Sequence, residues 1–256
     1  MKNYIKNKTV LITGSTSGIG KEIAIDLAKM GLNLVLVGRS MIKLEKLKNE
    51  LAHLTNKNIF LLEFDIRAEK DVNSKISSIL KQTNLDILIN NAGLALGADS
   101  IDKGSVENWD NMIDTNIKGL LYVSKAIISQ MKTLDTAHII NIGSVAGKTA
   151  YPGGNVYCAT KAAVHSITDA MNSDLYGTNI KVTTIAPGAV NTNFSNVRFD
   201  GNEEKIHAVY KGYVPLTASD ISNTIIMVLN TPPHVNIQYI DIMPTAQRNP
   251  FQIYRN

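Results

Sequence analysis

The chain reads as an α/β protein: a parallel sheet of about seven strands, with helices on both faces. Three observations carry this. Short β-branched apolar runs alternate with amphipathic segments along the whole chain, and that alternation demands a parallel sheet wrapped by crossover helices. The apolar runs end at glycine or at polar residues, as buried strands do. No Gly/Ser/Pro-rich linker, internal repeat or low-complexity tract divides the 256 residues. They are therefore read as one domain, 1–256.

Taken in order, Thr9 to Thr13 is the first strand and runs into Gly14-Ser15-Thr16-Ser17-Gly18-Ile19-Gly20. Lys21 to Met30 carries apolar residues at helical spacing, and Gly31 stops it. Asn33 to Gly38 is the second strand. Ser40 to Leu54 is a lysine-rich amphipathic helix, Asn58 to Phe64 the third strand, and Ala68 to Lys81 a helix. Leu85 to Ile89 is the fourth strand and leads into Asn90-Asn91-Ala92-Gly93. One long helix is expected from Val106 to Lys132, then strand from Ala137 to Ile142 and helix from Asn155 to Tyr176. Strand Ile180 to Ile185, helix Ala218 to Leu229 and strand Asn236 to Ile242 complete the pattern. The longest irregular region, about 189–217, leaves from the carboxyl end of the sixth strand. Doubly wound sheets bind ligands at those ends, so this region is expected to bind substrate.

Composition narrows the function. With 44% hydrophobic and 19% charged residues the chain can bury a sizeable core. A net charge of +4 with scattered lysines reads as a solvated face, not a nucleic-acid surface. The single cysteine, Cys158, rules out an intrachain disulfide and fits a reducing compartment. Val10-Leu11-Ile12 is too short for a signal peptide, and no stretch approaches a membrane span, so a cytoplasmic location is expected. The five histidines are dispersed and suggest no metal site.

Gly14, Gly18 and Gly20 close a strand and open a helix. Their missing side chains let a pyrophosphate approach main-chain N–H groups at a helix N-terminus, which favours dinucleotide binding over a plain tight turn. Val37-Gly38-Arg39-Ser40, at the end of the second strand, offers no carboxylate to hold a ribose 2′-hydroxyl. Arg39 can instead bond a 2′-phosphate, which predicts NADP(H) over NAD(H); a solvated Arg39 in an enzyme taking either cofactor is the other reading. Tyr157 and Lys161 lie four residues apart and leave one helix face. Alone they would be an ordinary ion-pair spacing. In a dinucleotide cleft, an ammonium beside the phenol is expected to lower its pKa; bringing it near neutrality takes roughly 4 kcal/mol, which the cation together with a positively charged ring is expected to supply. The result would be a proton donor usable near neutral pH.

Thr13-Gly14-x-x-x-Gly18-x-Gly20, Asn90-Asn91-Ala92-Gly93, Asn116, Ser144, Tyr157-x-x-x-Lys161 and Pro187-Gly188 stand in the order of the short-chain dehydrogenase/reductases, which the chain resembles over nearly its whole length. The resemblance implies a Rossmann-type sheet of strand order 3-2-1-4-5-6-7. It implies Tyr157 as catalytic acid/base, Lys161 as the group that tunes it and bonds the nicotinamide ribose, and Ser144 as the residue holding the substrate oxygen. Asn116 would support a water in the proton relay. The glycine turn (Gly14, Ser15, Thr16, Ser17, Gly18, Ile19, Gly20), Arg39 and Ser40, Asp65 and Ile66, and Asn91, Ala92 and Gly93 would contact NADP. So would the loop Pro187, Gly188, Val190 and Thr192. A homotetramer is also implied, with the helices bearing Asn116 and Tyr157 at one interface.

Three further stretches, 151–157, 194–199 and 233–237, resemble the subgroup of NADP-dependent 3-hydroxy acid dehydrogenases. Their small-molecule substrates are serine, L-allo-threonine, 3-hydroxyisobutyrate and malonic semialdehyde. Arg198 is the cation expected to help bind the substrate carboxylate; a surface or interface ion pair is its other reading. Two alternatives stay open: a reductase of another carbonyl, such as a 3-oxoacyl thioester, sugar or steroid, and a catalytically silent cofactor sensor or structural subunit.

Overall fold

The computed structural model describes residues 3–256. Seven strands form one sheet: β1 (Thr9–Thr13), β2 (Asn33–Gly38), β3 (Ile59–Glu63), β4 (Ile87–Asn90), β5 (Ala137–Ile142), β6 (Ile180–Pro187) and β7 (Tyr239–Ile242). Their order is β3-β2-β1-β4-β5-β6-β7, and every pairing is parallel. The chain turns from one half of the sheet to the other between β1 and β4, where a crevice opens at the strand ends.

The helices are α1 (Gly18–Lys29), α2 (Met41–Ala52), α3 (Glu69–Leu80), α4 (Val106–Ile113), α5 (Leu120–Met131), α6 (Asn155–Asp174), α7 (Phe194–Arg198), α8 (Glu203–Tyr210) and α9 (Ala218–Leu229). Alternate strand residues enter two separate cores, as the pleat dictates. Val10, Ile12, Leu34, Leu36, Ile87 and Ile89 pack on Ile23 and Leu27 of α1, Leu44 and Leu51 of α2, and Ile221 and Ile225 of α9. Leu11, Val35, Val37, Leu88, Ile139 and Val182 pack on Val72 and Ile76 of α3, Val123 and Ile127 of α5, and Val164 and Met171 of α6. Strands apolar on both sides need helices on both sides. No helix among the described residues is long and apolar enough to cross a membrane.

The structure corrects the sequence reading in three places. The expected helix 106–132 is interrupted by a π turn, Asp114–Gly119, between α4 and α5. Gly119 packs so closely on Ile66 that a Cβ there would lie 2.6 Å from its side chain. Region 189–217 is not wholly irregular, because it contains α7 and α8. No residue of α8 is buried, so no apolar periodicity marked it; Asn202 Oδ1 caps it by accepting the Lys205 N–H. The last strand starts at Tyr239 rather than Asn236, since the register with β6 begins at Tyr239, opposite Thr184, and runs to Ile242, opposite Pro187.

Candidate active site

A cleft of about 330 Å³ lies across the carboxyl ends of the strands. Gly14 (φ +64°) and Gly18 (φ +53°) adopt left-handed backbone, and a Cβ on Gly14 would lie 3.0 Å from the Ala92 Cα. Other residues would be strained at both positions. Thr13 Oγ1 accepts the N–H groups of Asn91 and Ala92, and Asn91 Nδ2 donates to the carbonyls of Thr13 and Gly14. The ends of β1 and β4 are thereby stitched together. Helix α1 starts at Gly18, and its N-cap, Ser17, makes no side-chain cap bond, so the first-turn N–H groups face the cleft uncapped.

Arg39 is exposed on the cleft wall at the end of β2. The nearby acids are already engaged. Glu63 Oε1 accepts the Met41 N–H at the start of α2. Asp65 accepts from both Nε and Nη2 of Arg67. Burial works to raise the Asp65 pKa, but the Arg67 bonds outweigh it and hold the carboxyl below its ordinary value. Among the described residues Arg39 makes no salt bridge, although its charge adds to the lowering of Asp65.

At the opposite end stand Ser144, Tyr157 and Lys161, joined by Pro187, Gly188, Val190 and Thr192. Tyr157 and Lys161 both sit on α6 and are 9% and 6% exposed. Lys161 Nζ donates to the Ile142 carbonyl at 2.8 Å, at the end of β5. Ser144 Oγ accepts the Ala146 N–H at 3.1 Å and donates to the Pro187 carbonyl at 3.4 Å.

The electrostatics differ from the sequence expectation. Burial pushes the Tyr157 phenol above its ordinary value; Tyr151 adds to the rise, while the Ser144 hydroxyl and the Arg198 guanidinium oppose it. Burial also lowers Lys161, to about 8. Burial outweighs the groups that favour the phenolate, and Tyr157 is held as a protonated donor.

The profile of the short chain dehydrogenase family matches residues 8–203. The chain belongs to that family. It is 42% identical over 240 residues to the NADP-dependent 3-hydroxy acid dehydrogenase YdfG of Escherichia coli strain K12, covering 93% of this chain and 95% of the relative. It is 36% identical over 253 residues to the NADP-dependent 3-hydroxy acid dehydrogenase of Schizosaccharomyces pombe, covering 98% of each. Among solved structures it is similar to the closed form of serine dehydrogenase complexed with NADP+. There the TM-score is 0.88 and the identity 41%, over 97% of this chain and all of the other.

Not every residue expected at the cofactor site of this short-chain dehydrogenase lines the cleft. Thr16, Ser17, Ile19, Ile66, Asn91, Ala92 and Gly93 do. Ser15 is fully buried, and its Oγ donates to the Val37 carbonyl. Gly20 lies behind the turn, where a Cβ would overlap the Gly14 carbonyl oxygen, so it serves helix–strand packing. Ser40 caps α2 by accepting the Lys43 N–H. Asn116 sits in the π turn, and its side chain is spent on scaffolding. Its Oδ1 accepts the Leu94 N–H, and its Nδ2 donates to the Leu94 carbonyl and to Thr160 Oγ1. Since Thr160 Oγ1 in turn donates to the Tyr157 carbonyl, Asn116 braces the first turns of α6.

Arg198, at the end of α7, donates to Tyr151 Oη at 2.7 Å and to the carbonyls of Gly97 and Gly153. Its guanidinium carbon lies 5.8 Å from the centre of the Tyr157 ring. Cys158 is buried, and burial raises its thiol pKa, so it stays protonated. His165 is a residue that sequence reasoning passed over. Its ring fills the space left by Gly143 and Gly147, and its Nε2 accepts the Ser144 N–H at 3.4 Å. Burial, helped by Lys161 and Lys148, lowers its pKa to about 4, which keeps the ring neutral and able to accept. The pair of glycines around Ser144 was the signal available in the sequence.

Proposed function

We propose that this protein is an NADP-dependent oxidoreductase acting on carbon 3 of short 3-hydroxy acids and the corresponding 3-oxo acids. The observation that carries the reading is one cleft holding a protonated Tyr157, Ser144 and Lys161 at one end and an unpaired Arg39 beside a glycine turn at the other. NADP, when bound, supplies or accepts the hydride. The residues fit it: positive-φ glycines leave room for a pyrophosphate, the uncapped N-terminus of α1 offers N–H donors, and the carboxylate nearest Arg39, Asp65, is already paired with Arg67.

The chain's own residues move the proton. In reduction, the Tyr157 hydroxyl donates to the substrate oxygen as that oxygen gains negative charge; in oxidation, it takes the proton back. The Ser144 hydroxyl holds the same oxygen and favours the phenolate left behind. The Lys161 ammonium, held by the Ile142 carbonyl, adds positive charge beneath the site below about pH 8. Arg198 binds the substrate carboxylate from region 189–217, using guanidinium N–H groups beyond those given to Tyr151, Gly97 and Gly153. The single domain 1–256 works as a homotetramer in the cytoplasm, acting on a small molecule.

The test is NADPH consumption with malonic semialdehyde against a 3-oxoacyl thioester, with NADP-linked serine oxidation as the reverse check. Preference for the semialdehyde and turnover of serine support the reading. Preference for the thioester moves the substrate to another carbonyl class, and no turnover of either removes the enzymatic reading.

A further inference from the structure

We propose that Gln247 is a positioning residue that sets the nicotinamide-side loop, 187–192, through the main-chain N–H of Ala189. The inference rests on the cofactor reading above. Gln247 lies outside the cleft lining and is buried, at 7% exposed. Its Oε1 accepts the Ala189 N–H at 2.8 Å, and its Nε2 donates to the Asn249 carbonyl at 3.2 Å. A Cβ on Gly188 would overlap the same Oε1. The glycine of Pro187-Gly188 is thus needed for the close approach of Gln247, and the loop cannot shift toward the side chain without a clash.

The remaining loop bonds define what Gln247 adds. Gly188 N–H donates to the Ile242 carbonyl, Leu216 N–H to the Ala189 carbonyl, and Asn191 N–H to the Leu216 carbonyl. Tyr210 Oη donates to the Val190 carbonyl. Gln247 is the side chain that accepts from Ala189, at the bend where the strand pairing of β6 ends. Among the described residues, the N–H groups of Val190 and Thr192 find no protein partner, and both residues line the cleft. Fixing Ala189 fixes where those two donors point. Gln247 is itself held in place: its N–H donates to the Pro244 carbonyl, and Ala246 accepts the Tyr254 N–H. Farther along, Arg255 and Asn256 bond the carbonyls of Val209 and Gly212. Segment 244–256 therefore joins the cofactor loop to the substrate region through one amide. A locked partner of this kind is what a precisely placed loop requires.

The test measures binding of NADPH and of 2′-phospho-ADP-ribose, which lacks nicotinamide, to wild type, Gln247→Met and Gln247→Glu. Methionine keeps the length and loses the acceptor; glutamate keeps the acceptor and, protonated as burial favours, also a donor toward the Asn249 carbonyl. The expected result is NADPH affinity about tenfold weaker in Gln247→Met, the cost of ordering on binding a loop that the Ala189 bond no longer holds. Binding of 2′-phospho-ADP-ribose should stay unchanged, and Gln247→Glu should recover most of the NADPH affinity. Equal weakening of both ligands, or unchanged NADPH binding in Gln247→Met, overturns the proposal. Wild-type protein that binds 2′-phospho-ADP-ribose but not NADPH overturns it as well. Wild type that binds neither instead brings down the cofactor reading, and this inference with it.

Discussion

Lys161 carries the sharpest energetic statement in the structure. Its pKa falls from an ordinary 10.5 to about 8 through burial alone. That fall corresponds to about 3 kcal/mol by which the ammonium destabilises the ligand-free protein at neutral pH. Replacing Lys161 with methionine removes this cost and forfeits the bond to the Ile142 carbonyl, worth about 1 kcal/mol. The net expectation is a Lys161→Met variant more stable than wild type by about 2 kcal/mol at pH 7, or about 4 °C in Tm for a chain of this length. The sign with pH follows from linkage. Between about 8 and 10.5 the unfolded lysine holds a proton that the folded one has released, so wild-type stability rises with pH there. The advantage of the variant is therefore full below pH 8 and fades as pH climbs toward 10.5. Thermal unfolding of both proteins at pH 7 and pH 10, with turnover measured alongside, reads this out. Turnover should collapse while stability rises. A methionine variant that is less stable at pH 7, or whose advantage does not change with pH, would refute the reasoning.

Two other perturbations test the two ends of the site. Arg39→Asp should weaken NADPH binding by at least about tenfold, since a favourable phosphate contact becomes a repulsive one, and should shift preference toward NADH; intact NADPH affinity by titration would show that Arg39 is only a solvated side chain. Arg198→Ala should raise KM for 3-hydroxy acids about tenfold or more while leaving KM for a neutral alcohol of similar size near wild type. An equal rise for both would assign Arg198 to clamping Tyr151, Gly97 and Gly153, and an unchanged KM for the acid would remove it from the site.

The middle of the sheet was readable because the centres of β1, β2 and β4 are continuously apolar and buried on both faces: Val10, Leu11 and Ile12 serve two cores in three residues. The glycine turn, Ser144 and the Tyr157–Lys161 pair were readable because their chemistry depends on residue type and spacing. Features set by partners distant in sequence were not. The π turn around Asn116 depends on the approach of Ile66 to Gly119, and α8 buries nothing that would give it a period. Ser15, Gly20 and Ser40 looked like ligand contacts because they adjoin residues that line the cleft. Only the fold shows that they bond Val37, pack on Gly14 and cap α2. The upward push on Tyr157 was not legible for a related reason: helical spacing gives proximity to Lys161, while the depth of burial depends on the whole cleft.

Everything in the proposed chemistry passes through one phenolic proton. Tyr157→Phe removes that proton and little else, since the ring keeps its place 5.8 Å from Phe194. The decisive measurement is single-turnover oxidation of bound NADPH by malonic semialdehyde in this variant. The account predicts NADPH affinity close to wild type and a rate lower by about 10² to 10⁴. A rate within about tenfold of wild type would contradict it, because general acid catalysis of even modest strength would be lost with the hydroxyl.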